Sequence, residues 1–444
     1  MKYRFQTLKG RINMINKYHI IYVLNSISRL LKTALLTALT LFANGCAEYT
    51  TQTLRIDSQA PFISAPIISP VPNTATEQRL VAFPDGKVMV AWWENLPGTK
   101  GNLQISAWEN DSWSPPITVS TMPNIVDAEF APIGNDHLAA MWMASKPYQA
   151  GGEVQGIYTS TTDSSNNRWN TPLKVNQEKQ TSGKTLPALA AFANGSLLTA
   201  WIDMPVTQPN SPGSPKEITH SEPASSLTVA LISADNSQVK SMPAVKEFCG
   251  CCPPALAIHA EDGFLAYRGL LPVNIRDPAI MRIGQDRLNT PHIIHNDHWE
   301  FDGCPSSGPV VAVLQNTVAV AWTTLIHNRL IVRTAFSQDN SDHFAVPIDV
   351  ELDNATGVSG IALESPQSAL LVWTGIDTKG SAIKLARVYA DGRIEHRTTV
   401  HRLTNDGTYK WPGPRMVKTN NGIIIGWNDE QSKKLGLVKV KLVE

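Results

Sequence analysis

The sequence has few charges, few cysteines and no long apolar run. Charged residues make up 17% of the 444, and 38 Lys and Arg are balanced by 38 Asp and Glu, so no basic excess marks the chain for nucleic acid. Long amphipathic patterns of helical period are absent, which sets aside an all-helical fold. Past the N-terminal region, no segment approaches the roughly 20 apolar residues that cross a bilayer as a helix. Only five cysteines occur. Trp is plentiful, at 12, and Pro and Gly number 30 and 28. Short apolar runs bounded by turn residues dominate, and that pattern reads as all-β.

The first 45 residues carry seven basic residues (Lys2, Arg4, Lys9, Arg11, Lys17, Arg29 and Lys32) and no acidic one, and they end in an apolar run over residues 34–43. A basic leader, a short apolar core and small residues before a cleavage point describe an export signal. The closing Ala43-Asn44-Gly45-Cys46 resembles the bacterial lipobox, whose cysteine becomes the lipidated first residue. An ordinary cleaved signal with an unrelated cysteine is the alternative. The resemblance, with Ala47 following, implies an outer-membrane lipoprotein of the cell envelope, partnered to the membrane through its lipid. The expected organisation is a signal over 1–45, a linker over 46–60 after Cys46, and one domain over 61–444. Without the signal, 31 basic residues face 38 acidic ones, a net charge of −7.

The remaining chain repeats itself. Seven hairpins share one form, an apolar strand, a Gly/Asn/Asp turn and a second apolar strand ending in an aromatic residue: Trp92, Trp142, Trp201, Tyr267, Trp322, Trp373 and Trp427. Three of the turns, Asp85-Gly86, Asn194-Gly195 and Asn421-Gly422, have the composition of two-residue hairpin turns, because they tolerate positive φ. A third alternating strand follows each hairpin, and a fourth usually follows that. Four antiparallel strands per repeat, arranged radially, make a β-propeller. Seven hairpins point to seven blades; one irregular repeat would leave six. The last repeat ends after its third strand, so residues 61–69 are expected to supply its fourth and close the ring, protecting a sheet edge.

Turns after the third strands carry a further pattern. Ser337-Gln338-Asp339-Asn340-Ser341-Asp342-His343-Phe344 fits the sialidase Asp-box, S-x-D-x-G-x-T-W, with Ser341 for Gly and Phe344 for Trp. Ser233-Ala234-Asp235-Asn236-Ser237 is a partial copy, and Thr161-Thr162-Asp163 opens a stretched one ending at Trp169. The Asp accepts backbone N–H bonds within the turn, and the aromatic packs between sheets. Such boxes identify a fold and not a reaction.

One face of the propeller collects the chemistry. Blade four opens with Cys249-Gly250-Cys251-Cys252-Pro253-Pro254 and blade five with Trp299-Glu300-Phe301-Asp302-Gly303-Cys304-Pro305. These four cysteines sit in equivalent loops of neighbouring blades and should meet in space. A structural disulfide in an oxidising compartment, most simply Cys304 to one of the others, a thiolate site for copper or zinc, and free or redox-active thiols all stay open. Tyr267-Arg268 ends the second strand of blade four, and Arg276-Asp277 opens its third. Arginines on a concave rim suit carboxylate or phosphate recognition; a salt bridge from Arg276 to Asp277 or a neighbour is the plain alternative. Trp93, Glu94, Asp203, His327, Asp377 and Asp429 are further rim candidates, and residues 205–226, rich in Pro and Ser, lie over the same face.

From Cys249 to Thr324 the chain resembles bacterial sialidase-like proteins of the BNR-repeat type, through CGCCP, AYR, IRD, GCP and VAVAW. That resemblance implies the propeller fold and a label of exo-α-sialidase. A working sialidase needs three arginines on the substrate carboxylate, a Tyr nucleophile with its Glu, and an Asp acid/base. Here Arg79-Leu80-Val81 stands where R-I-P is usual, Gly269 follows AYR where Asp is usual, and no Tyr/Glu pair is assignable. Carried over are Arg268 and Arg276 for an acidic sugar and Asp277 for acid/base work. The favoured expectation is a lipid-anchored propeller that binds a ligand or soft metal at its Cys/Arg face. A glycoside hydrolase for sialic acid or a related sugar, and an envelope scaffold, are the alternatives.

Overall fold

The computed structural model describes Ile56–Asp57 and residues 62–441, apart from 76, 95–100, 148–152, 163–167, 177–185, 204–225, 286, 405–412 and 430–433. Residues 1–45, where an export signal is expected, Cys46 and most of the Pro/Ser-rich segment lie outside the described residues. No helix among those described is long and apolar enough to cross a membrane.

Seven antiparallel sheets of four strands or more follow one another along the chain. Their first strands are Glu77–Ala82, Ile125–Ile133, Ala188–Ala191, Ala255–His259, Val310–Leu314, Ala355–Ser365 and Arg415–Thr419. Each of these touches its counterpart in the next blade, and the seventh touches the first, so the inner strands form a closed ring. The domain is a seven-bladed β-propeller. Closure uses a strand that precedes blade one in sequence: Ile63–Ile67 pairs antiparallel with Lys434–Lys441 as the fourth strand of blade seven. Within the expected linker, Ile56–Asp57 adds a short parallel strand to the outer edge of blade six, against Ile394–Glu395.

The second strand of each blade is buried on both faces, which is why it reads as an unbroken apolar run. Leu197–Asp203 is buried at every residue. Period-two alternation sends its side chains to different neighbours. Leu198, Ala200 and Ile202 pack against Leu265 and Tyr267 of blade four, whereas Leu197 and Trp201 pack against Ala139, Met141 and Met143 of blade two. The aromatic repeat follows the same rule. Trp142, Trp201, Tyr267, Trp322, Trp373 and Trp427 each join the core shared with the preceding blade. The residue after the aromatic faces the following blade.

The turns differ from expectation in detail. Asp85-Gly86 and Asn194-Gly195 belong to three-residue connections, with Gly86 N–H donating to Phe83 C=O and Gly195 N–H to Phe192 C=O, both 2.9 Å. The glycines occupy φ +89° and +87°, the left-handed position that ends a type I turn in such loops. In the third case Thr419 pairs with Gly422, so Asn420-Asn421 form the two-residue turn. Gly422 opens the strand, where a Cβ would lie 2.0 Å from Val440 O. The Asp-box behaves as a clasp. Asp339 Oδ1 accepts from Ser337 Oγ at 2.7 Å and from the His343 N–H at 2.9 Å, Ser341 takes φ +71°, and Phe344 packs into the core between blades four and five. In the partial copy, the Asn236 amide bridges to Thr159 in blade two.

Ring closure generates a prediction. Removing the chain through Ile67 uncovers the Lys434–Lys441 edge, so the truncated protein should show a lower melting temperature and concentration-dependent association in light scattering. A monodisperse variant of unchanged melting temperature would contradict the closing role.

Candidate functional site

The loops that lead into blades four and five meet above the inner strands. Cys249 is bonded to Cys252 and Cys251 to Cys304, with Cα separations of 5.4 and 6.2 Å, both inside the usual span of a disulfide. The second bond ties the two loops together across 53 residues of sequence. A glycine lets them close: a Cβ on Gly308 would sit 1.8 Å from Pro253 O. The sulfur atoms of Cys249, Cys251 and Cys252 lie within 4.8 Å of one another. That donor set suits copper or zinc only as thiolates; bonded in pairs, the sulfurs carry no anionic lone pair for a metal.

Arg268 is the strut under these loops. Its side chain is 1% exposed, faces blade five as its strand position dictates, and spreads its donors over backbone oxygens. Nε donates to Ser307 C=O at 2.9 Å, Nη1 to Arg276 C=O at 2.8 Å and Nη2 to Thr323 C=O at 3.0 Å. The guanidinium carbon stands 5.0 Å from the centroid of the Trp299 ring. Burial pushes its pKa down to about 10, against the opposing pull of Asp297 and Asp277, so it remains charged at neutral pH. The Arg268 carbonyl accepts from the Cys249 N–H at 2.8 Å, which joins the strut directly to the cysteine loop.

Arg276 is equally enclosed. Nε donates to Phe301 C=O at 3.1 Å and Nη2 to Gly303 C=O at 3.2 Å, while Nη1 has no acceptor. Asp277 is wholly buried and accepts the His298 and Trp299 N–H groups at 3.2 and 3.3 Å. Burial raises its pKa, with those two bonds opposing. No Arg276–Asp277 ion pair forms among the described contacts; each side chain serves backbone instead. Asp297, which the sequence did not single out, completes the framework. It receives Arg333 Nη1 at 2.5 Å, Trp322 Nε1 at 2.6 Å and pairs with His295 Nδ1 at 2.8 Å. Burial alone would raise its pKa, but these partners hold it below the usual carboxylate range.

Tyr267 points the opposite way, into the core between blades three and four, where burial raises its pKa. Trp93 and Glu94 lie in blade one. Trp93 is buried, 5.2 Å from the Arg79 guanidinium carbon, and Glu94 accepts from Thr74 Oγ1 and from Asn102 Nδ2. Of the other rim residues, Asp203 is buried, Asp377 pairs with Arg402 at 2.5 Å, His327 takes a left-handed turn position at φ +49°, and the side chain of Asp429 lies outside the described residues.

A second charged group lines the ring across blades seven, one and two. Arg79 is 2% exposed and binds Glu129 Oε1 at 3.0 Å, Glu77 Oε2 at 3.2 Å and Asp127 Oδ1. Arg415 reaches the same Glu129 oxygen at 3.1 Å. Three carboxylates face two guanidiniums, and the most buried carboxyl yields: burial raises Asp127 to about 7, with Arg79 opposing and Glu77 and Glu129 assisting. Arg415 also borders a pocket of about 60 Å³ at the channel mouth, with Pro253, Pro254, Gly308, Pro309 and Ser359. The Ser359 hydroxyl has no hydrogen-bond partner.

No family model matches the chain, and no curated protein matches it. Solved structures do. The Hadza microbial sialidase Hz136 is 11% identical with a TM-score of 0.43, over 68% of this chain and 64% of that one. A Trypanosoma rangeli sialidase in complex with sialic acid is 11% identical with a TM-score of 0.42, over 72% and 56%. An ulvan lyase of polysaccharide lyase family PL25 is 9% identical with a TM-score of 0.46, over 76% and 82%. The chain thus spans less than two thirds of the length of those two sialidases. The fold itself is a seven-bladed β-propeller, and the Ser337–Phe344 turn of blade five has the Asp-box form.

Two measurements check the site. Gly308→Ala should lower stability by roughly 1–3 kcal/mol through its clash with backbone, read by denaturant unfolding. For Asp127, a folded pKa above the unfolded one means that the native state holds the extra proton. Its contribution to stability is therefore full below about pH 4 and falls by on the order of 1 kcal/mol per pH unit toward pH 7. Asp127→Asn should flatten that slope between pH 5 and 7; an unchanged slope would place the proton elsewhere.

Proposed function

We propose that this chain is a non-hydrolytic, ligand-binding propeller of the bacterial cell envelope, anchored to the outer membrane through lipid on Cys46. Its ligand is a small anionic group, such as the carboxylate of an acidic sugar, taken at the channel mouth beside Arg415 and Ser359. The observation that carries the reading is the engagement of the two mouth arginines. Arg268 spreads its donors over three backbone carbonyls and Arg276 gives two of its nitrogens to two more, so neither presents the open fork that clamps a substrate carboxylate. The remaining nitrogen of Arg276, Nη1, has no acceptor but is buried with the rest of the side chain. The pocket, at about 60 Å³, is far below the several hundred Å³ typical of small-molecule sites, and suits a substituent better than a whole sugar. The export signal and the two disulfides agree in pointing to an oxidising compartment. A soft metal is the ligand class that the same cysteines would take once reduced.

One observation favours the hydrolase reading: Asp127, which titrates near neutrality between Arg79 and Glu129, has the protonation behaviour of a general acid. The two readings separate in one series. N-acetylneuraminic acid should bind in calorimetry and lose at least tenfold in affinity in Arg415→Ala, with no turnover of a fluorogenic sialoside. Turnover that disappears in Asp127→Asn would overturn the non-hydrolytic reading. Thiol titration and metal analysis of the same sample should give no free thiol and no copper or zinc; free thiols with stoichiometric metal would make the cysteines the binding site.

A further inference from the structure

The two disulfides are not equivalent, and they touch. Cys249 and Cys252 are 1% and 3% exposed, whereas Cys251 and Cys304 are partly exposed. The sulfurs of Cys249 and Cys251, which belong to different bonds, stand 3.6 Å apart. Disulfides that serve only to tie loops have no need of such contact. The Cys304 sulfur also lies 3.2 Å from the Ser306 hydroxyl, a donor able to steady a thiolate leaving from that position.

We propose that the four cysteines form a thiol–disulfide relay, in which the partly exposed Cys251–Cys304 bond is opened by an external dithiol and the buried Cys249–Cys252 bond is then exchanged by Cys251. In the first step one thiolate of the dithiol attacks Cys251–Cys304, and its second thiolate resolves the mixed disulfide. The dithiol leaves as a cyclic disulfide, and Cys251 and Cys304 each gain an electron and a proton. In the second step the Cys251 thiolate attacks the sulfur of Cys249, the Cys249–Cys251 bond forms, and Cys252 departs as thiolate and takes up a proton. No net oxidation accompanies this second step. Gly250, between the two partners of the new bond, gives the backbone the freedom that so small a ring requires. Opening the first bond also severs the tie between the lead-in loops of blades four and five, beside the Pro253–Gly308 wall of the pocket. The relay goes beyond the ligand reading, which needs no redox step, and each can fail without the other.

The test uses the full chain with one equivalent of dithiothreitol, acid quench, alkylation by N-ethylmaleimide and peptide mapping. The relay predicts label on Cys251 and Cys304 first, then transfer of the Cys251 label to Cys252 as a Cys249–Cys251 bond appears. In Cys304→Ser, without reductant, label should divide between Cys251 and Cys252. Label confined to Cys251 and Cys304 in the natural chain, or earlier reduction of Cys249–Cys252, would overturn the proposal. The measurement on the natural chain decides the matter even where the variant does not fold.

Discussion

Closure of the ring is the constraint on which the rest of the structure depends. Seven inner strands touch in sequence and the seventh returns to the first, but the last blade is complete only because Ile63–Ile67 pairs with Lys434–Lys441. That pairing removes an open edge and fixes the ends of the domain against each other. With the circle closed, every second strand is buried between two neighbouring blades, and each core is shared. The repeat aromatics fill the gap to the preceding blade. The residue after each aromatic faces the next blade, which places Arg268 where it reaches the carbonyls of blade five.

The channel mouth follows from that placement. A guanidinium without water must satisfy its donors inside the protein, and backbone carbonyls from three separate segments do so for Arg268. Asp297 and Asp277 supply the balancing negative charge nearby. Together with the Cys251–Cys304 bond and the close approach of Gly308 to Pro253, these contacts hold two irregular loops in one conformation. The wall of the pocket is thus made of rigid Pro and Gly backbone, and its polar chemistry comes from Arg415 and Ser359 on other blades.

Much of the fold was legible because its signals are local. Alternation, turn composition and a recurring aromatic are written into each hairpin, and they mark all seven blades; the closing strand was expected because the last repeat lacks a fourth. The meeting of the four cysteines was legible from their equivalent positions in adjacent repeats, though the pairing was not. What the sequence concealed are partners without side-chain identity or without proximity. Backbone carbonyls that accept from Arg268 and Arg276 leave no trace in residue type, so two arginines read as ligands turn out to be enclosed. Arg415 and Glu129 are 286 residues apart, and only closure brings them together. Tyr267, read as a rim residue, is the aromatic of its own repeat and belongs to the core.

The central claim, that the mouth arginines build the site instead of serving as its ligands, is tested most directly by equilibrium unfolding of Arg268→Lys. An ammonium cannot reach three divergent carbonyls, so the account predicts a loss of roughly 3 kcal/mol or more, with a matching drop in melting temperature. Unchanged stability together with lost ligand binding would contradict the account and return Arg268 to the role of a substrate-contacting residue.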